Sequence, residues 1–241
     1  MRILEILSLG LVSVVLAGSV IAQSTQNAPL PPALNAAVLS GNSNAISQAI
    51  ALLSGGNPQV AATLAAGVLS AAEQLAATNP KAAMQAAAAA IKTIQSPAVA
   101  AAAPAKAAEI ASAAARIIAI PAVQKTSPST AAGIAIAIVK IVSVPAVFNA
   151  SPETAVQAMA NAYKAATSPV VTSVVPNSAA RITAALRAAQ NNGALSQIAP
   201  GLRAEIARIL ASNLPGPNTG NDLGGSGDKT ELDTTLISPS S

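Results

Sequence analysis

Apolar residues run almost unbroken from Ile6 to Val20, recur with helical spacing from residue 34 to residue 212, and thin out after Asn213. The first run follows Met1 and Arg2 and closes on "SVIAQ", with small residues before Gln23. That is the plan of a secretory signal peptide over 1–22, with cleavage after Ala22. The run is short for a membrane-crossing helix and no charged flank follows it, so no transmembrane span is expected once the signal is removed. Periplasmic or extracellular localisation follows, and a lipoprotein is not expected, because no Cys exists to carry the lipid.

A polar, proline-containing entry segment, 23–33, leads into the periodic region. "NSNAISQAIALL" offers Asn and Ser as N-caps ahead of an apolar run, and "GGNPQVAATLAAGVLSAAEQLAA" places Asn57 as N-cap with Pro58 at the first helical position. Both end in residues that stop helices.

Beyond them the pattern repeats. Pro80, Pro104, Pro128, Pro152, Pro176 and Pro200 stand 24 residues apart, and Pro97, Pro121, Pro145 and Pro169 form a second ladder with the same spacing. Each unit, such as "PSTAAGIAIAIVKIVSVPAVFNAS", should open with a helix whose first residue is the ladder proline. Asn79, Ser127 and Ser151 stand as caps in three units. The second proline ends that helix, because it removes a backbone donor and clashes with the preceding turn. In the fifth unit "NNG" occupies this place, and Gly193 is expected to end the helix in the left-handed conformation.

Two columns of the repeat carry packing information. Three residues after the ladder proline stand Ala83, Ala107, Ala131, Ala155 and Ala179, and nineteen after it Val99, Val123, Val147, Val171 and Leu195. Small size and a fixed apolar anchor are what close contact between neighbouring units requires. The predicted fold is therefore all-α: a right- or left-handed α-solenoid of 24-residue alanine-rich repeats, each a long helix plus a short helix or turn. It covers 34–212, with the regular units over 80–199. The nearly apolar "AAGIAIAIVKIVSV", Ala131 to Val144, reads as the middle helix of the stack, covered on both sides by less apolar units. Residues 213–241, rich in Gly, Pro, Ser, Thr and Asp, read as a disordered acidic tail.

Composition narrows what such a stack can do. Half the residues, 52%, are apolar, but alanine dominates and Phe148 and Tyr163 are the only aromatics. Each helix can bury little area and must gain stability by close approach of backbones, at the near end of helix spacing, about 8 Å. With neither Cys nor His, disulfides, thiolate chemistry and the commonest general base and metal ligand are removed. The net charge of +4 is uneven: Glu73 to Arg208 holds eleven basic residues against four acids, while the tail holds one against four.

Catalytic patterns fall away in turn. Glu73, Glu109, Glu153 and Glu205 lie far apart and at different places in the repeat, which gives a paired-carboxylate site no local support. "SGDK", Ser226 to Lys229, has Ser-x-x-Lys spacing but lies in the glycine-rich tail, as does the rest of "GNDLGGSGDK". No cofactor is implied. Helices rich in Ala and Thr are similar in composition to ice-binding helices, but a regular Thr spacing is missing. The best candidate is a charge ladder: Lys92, Arg116, Lys140 and Lys164, each twelve residues after a ladder proline, which stacking would align on a single face. Such a row can meet an anionic polymer of the cell envelope or serve as the solvated face of each helix. Nucleic acid is disfavoured, because no aromatics are interleaved for stacking. The expected function is an exported, non-catalytic structural or protein-interaction module with an unknown protein partner. Binding of anionic envelope polymer through the ladder is the alternative, and an enzyme or an ice-binding protein are the remaining classes.

Overall fold

The computed structural model describes residues 30–212, in which fourteen helices pack against one another and no strand occurs. The predicted signal peptide, most of the entry segment and the tail with "SGDK" lie outside the described residues. Three helices precede the regular units: α1 (Pro32–Ser40), α2 (Ser43–Ser54) and α3 (Pro58–Leu75). The units contribute long helices α4 (Pro80–Ile94), α6 (Pro104–Ala119), α8 (Pro128–Val142), α10 (Pro152–Ala166) and α12 (Ser178–Gln190). Short helices follow each: α5 (Pro97–Ala102), α7 (Pro121–Thr126), α9 (Pro145–Ala150), α11 (Pro169–Thr172) and α13 (Gly193–Ile198). The last helix is α14 (Leu202–Ala211). The first helix begins inside the segment read as polar entry, and it does so because Leu34 and Val38 are fully buried.

Both proline ladders start helices. Pro80, Pro104, Pro128 and Pro152 are the first residues of long helices, and Pro97, Pro121, Pro145 and Pro169 the first residues of short ones. The break between long and short helix comes from the residue before the second proline, which the pyrrolidine ring excludes from helical backbone. Ser96, Ile120, Val144 and Ser168 accordingly take ψ of 122°, 123°, 125° and 147°.

Capping follows side-chain length and backbone together: Ser168, with ψ 147°, accepts from the Val171 amide, whereas at ψ of 73° to 83° only asparagine reaches. Asn42 accepts from the amides of Asn44 and Ala45, Asn57 from Gln59 and Val60, and Asn79 from Ala82. Ser127 and Ser151 do not cap their helices. Their backbones resemble that of Asn79, but a hydroxyl is one atom shorter than a carboxamide. Ser127 Oγ meets Thr130 Oγ1 at 2.7 Å instead, and Ser151 Oγ donates to the Ala150 carbonyl. Gly193 also departs from expectation: it is the first residue of α13, with Asn192 accepting from the Ala194 amide. Left-handed glycine ends helices elsewhere, at Gly41 (φ 64°) and Gly55 (φ 54°).

The packing columns are buried. Ala83, Ala107, Ala131 and Ala155 are fully inaccessible, as are Val123, Val147, Val171 and Leu195, with Val99 nearly so. The fifth unit slips by one residue. There α12 begins two residues after Pro176, Ser178 takes the buried place expected of Ala179, and its hydroxyl donates to the Ala166 carbonyl at 2.7 Å. As the central helix of the regular units, α8 buries nine of its residues, the most apolar stretch being covered on more than one side. No helix among the described residues is long and apolar enough to cross a membrane.

Contacts between elements follow a rule of two. Each long helix packs against the next and against the next but one, which places α2, α4, α8 and α12 in one row and α3, α6, α10 and α14 in another. Short helices follow suit: α7 and α11 lie against the α4 row, α5 and α9 against the α6 row. Within the α6 row last turns meet last turns at α3 with α6 and at α10 with α14. Arg116 of α6 reaches Glu73 of α3, and the Tyr163 hydroxyl of α10 donates to the Leu210 carbonyl of α14.

Candidate functional site

Lys92, Arg116, Lys140 and Lys164 all lie in the last turn of a long helix and all are exposed. A cation there faces the helix carbonyl end, where it is stabilised by the partial negative charge of the unpaired carbonyls. The four do not form one line, however. Alternation between rows puts Lys92 and Lys140 on the α4 row and Arg116 and Lys164 on the α6 row.

The two rows also differ in the company their cations keep. Arg116 is joined to Glu73 by Nη2 at 2.7 Å and Nε at 3.2 Å, a bidentate approach to one carboxylate oxygen. Lys106 pairs with Glu109 at 2.9 Å, and Arg208 with Glu205. These three ion pairs, the full set among the described residues, lie on the α6 row. So do all four acids of the body, because Glu73, Glu109, Glu153 and Glu205 fall on α3, α6, α10 and α14. On the α4 row and its α7 helix stand Lys81, Lys92, Lys125, Lys140, Arg181 and Arg187, all exposed and with no acid among them.

The one-residue slip of the fifth unit hid a member of this row. Buried positions 131, 135, 139 and 142 of α8 correspond to 178, 182, 186 and 189 of α12, so Arg187 stands where Lys140 stands one repeat pair earlier. Lys92, Lys140 and Arg187 are thus the corresponding cations of α4, α8 and α12. Counting twelve from the ladder proline or nine from the alanine column lands on Ala188 and misses Arg187 by one residue; only the packing shows that Ser178 replaces Ala179.

The α6 row carries two depressions. One, of about 610 Å³, lies between α3 and α6 over Leu64, Gly67 and Ile110 and is rimmed by the pairs Glu73–Arg116 and Lys106–Glu109. The other, of about 440 Å³, lies between α10 and α14 over Phe148, Val156 and Leu202, with Glu153 and Glu205 at its edge. Two carboxylates that are 52 residues apart in sequence therefore share one groove, which spacing alone gave no reason to expect. Glu205 is already engaged by Arg208.

A buried polar link was also illegible beforehand. Gln124 is 3% exposed; its Nε2 donates to the Ile118 carbonyl at 2.9 Å and its Oε1 accepts from Ser168 Oγ at 2.8 Å. It ties α7 to the residue that precedes α11 and leaves no polar atom of its side chain without a partner.

Comparison with known proteins returned no match: no family model, no curated protein and no solved structure matches the chain.

Proposed function

We propose that the chain is an exported, non-catalytic structural or interaction module, and that its 24-residue units stack as an α-solenoid laid down in two rows. The contact of each long helix with the next and the next but one carries this reading. Such packing produces long, regular side faces whose extent grows with the number of units, which is how helical-repeat proteins present surface to partners. The signal-peptide plan of residues 1–22 supports export. Stability then has to come from alanine packing in the absence of any disulfide.

Deletion tests the stack, with two units as its natural step. Removing residues 104–151, two whole units, rejoins Ala103 to Pro152 and returns every later helix to its own row. The shortened chain should keep cooperative melting by circular dichroism, with helix content reduced in proportion to length. Removing 128–151, one unit, keeps the joint but moves all later helices to the other row, and should lower the melting temperature further. Removing 128–139 breaks the register and should abolish cooperative melting. Equal damage from the 48-residue and 12-residue deletions would sink the stacked-repeat reading.

Sorting of charge between the rows favours anionic partners over neutral ones as the class that the module meets. That reading predicts association that weakens as salt is raised, measured by retention of the full chain on an anionic resin against a neutral one.

A further inference from the structure

We infer that the α4 row is a docking face for a linear acidic polysaccharide, held by the corresponding cations Lys92, Lys140 and Arg187 and extended by Lys81 and Lys125. The inference rests on the interaction-module reading and names its partner. It starts from the separation of charge. Every carboxylate of the described residues lies on the other row, so a polyanion following α4, α8 and α12 meets no like charge. On the α6 row the same polymer would find only Lys164 and Arg203 outside ion pairs, would pass the four glutamates, and would have to displace Glu73 from Arg116, Glu109 from Lys106 and Glu205 from Arg208. A polymer that replaces counterions along a row of free cations gains from every cation it reaches, and a row already paired internally returns little.

The rest of the face selects among polyanions. Phe148 is fully buried and Tyr163 is 7% exposed, which leaves no aromatic ring on which bases could stack. Of the large exposed apolar side chains, Leu52 and Leu53 lie on α2, the cation-free first helix of the row, and Val144 just beyond the end of α8; neither these nor Leu39, Val60 and Val174 belong to the cation-bearing helices α4, α7, α8 and α12. These helices therefore offer cations without the apolar wedge that interfacial helices push among lipid chains. Between the cations the exposed surface is small, with Ser129, Gly133, Ala180 and Ala184, so a chain of sugar rings can lie against it without obstruction. Charge without stacking rings or membrane wedges fits a hydrophilic polymer whose acid groups recur along its length.

The test uses the full chain and polygalacturonate, a linear polymer of carboxylated sugars, with binding followed by titration. The parent should bind at about 50 mM salt and weaken steeply by about 200 mM. The variant Lys92→Gln, Lys140→Gln, Arg187→Gln should lose on the order of tenfold in affinity. The variant Lys106→Gln, Lys164→Gln, Arg203→Gln removes the same charge from the α6 row and should lose no more than about twofold. Equal losses in the two variants would reduce the effect to net charge and overturn the docking face. So would absence of parent binding at low salt, or tighter binding of duplex DNA or phosphatidylglycerol vesicles that responds to the α4-row variant. Helix content and melting of both variants, measured on the same samples, show that each retains the fold. If docking fails while the deletion series keeps its two-unit step, the partner is wrong and the module stands; if the deletion series fails, the row itself is gone.

Discussion

The α4 row and the α6 row are made from the same repeating unit, joined through the same proline pairs, yet one carries no acid and the other carries all four. The difference is one of parity. Units that alternate between rows can be specialised separately, and every second unit here has acquired a glutamate that pairs within its own row or lines its grooves. A 24-residue repeat in sequence thus alternates in surface charge from one unit to the next. The interior differs as well. At the same place in consecutive units, the short helix α7 beside the α4 row buries Gln124, while α9 beside the α6 row buries Phe148.

That interior pair supplies the largest test of the comparison. Phe148 is the biggest fully buried side chain, and Phe148→Ala should cost about 3–5 kcal/mol through lost transfer energy and the cavity left behind. Urea unfolding should show the midpoint falling, with the slope unchanged if the stack still melts as one unit. An effect below that of the Gln124 variant would mean that the two rows are not anchored differently. Gln124→Ala deprives the Ser168 hydroxyl and the Ile118 carbonyl of their partner and should cost about 1–3 kcal/mol, read in the same titration. The smallest effect belongs to the surface. Glu73→Gln leaves Arg116 unpaired at an exposed site and should cost less than about 1 kcal/mol, shrinking further as salt is raised. The same variant frees a cation on the α6 row, so it should strengthen polygalacturonate binding slightly while leaving the response to the α4-row substitutions intact.

Much of the helix plan was legible because its signals are local. A proline at the first helical position and the restriction it places on its predecessor act across one peptide bond, so eight of the ten ladder prolines are helix starts, while Pro176 and Pro200 stand two residues ahead of α12 and α14. Asn57 and Asn79 were legible as caps for the same reason, whereas Ser127 and Ser151 depended on whether a short hydroxyl could reach an amide at the backbone angles the packing allows. The buried alanine and valine columns could be read from repetition, since a position that must be small in one unit must be small in the next.

The candidate site was only half legible. Twelve-residue counting found Lys92 and Lys140 but grouped them with Arg116 and Lys164, which lie on the other row, and passed over Arg187. No local rule says whether a helix will touch its immediate successor alone or also the one after. That choice depends on how the short helices turn the chain and on how closely alanine faces approach, which are sums over residues from several units. Sequence by itself determined where the helices begin, where they break and which positions must be small, because those are properties of a few adjacent dihedral angles. Only the tertiary structure decided which helices share a row, that Glu73 neutralises Arg116 from 43 residues away, and that a line of unpaired cations is left along α4, α8 and α12. Those facts are settled by packing between units, where contact in space is independent of order in the chain.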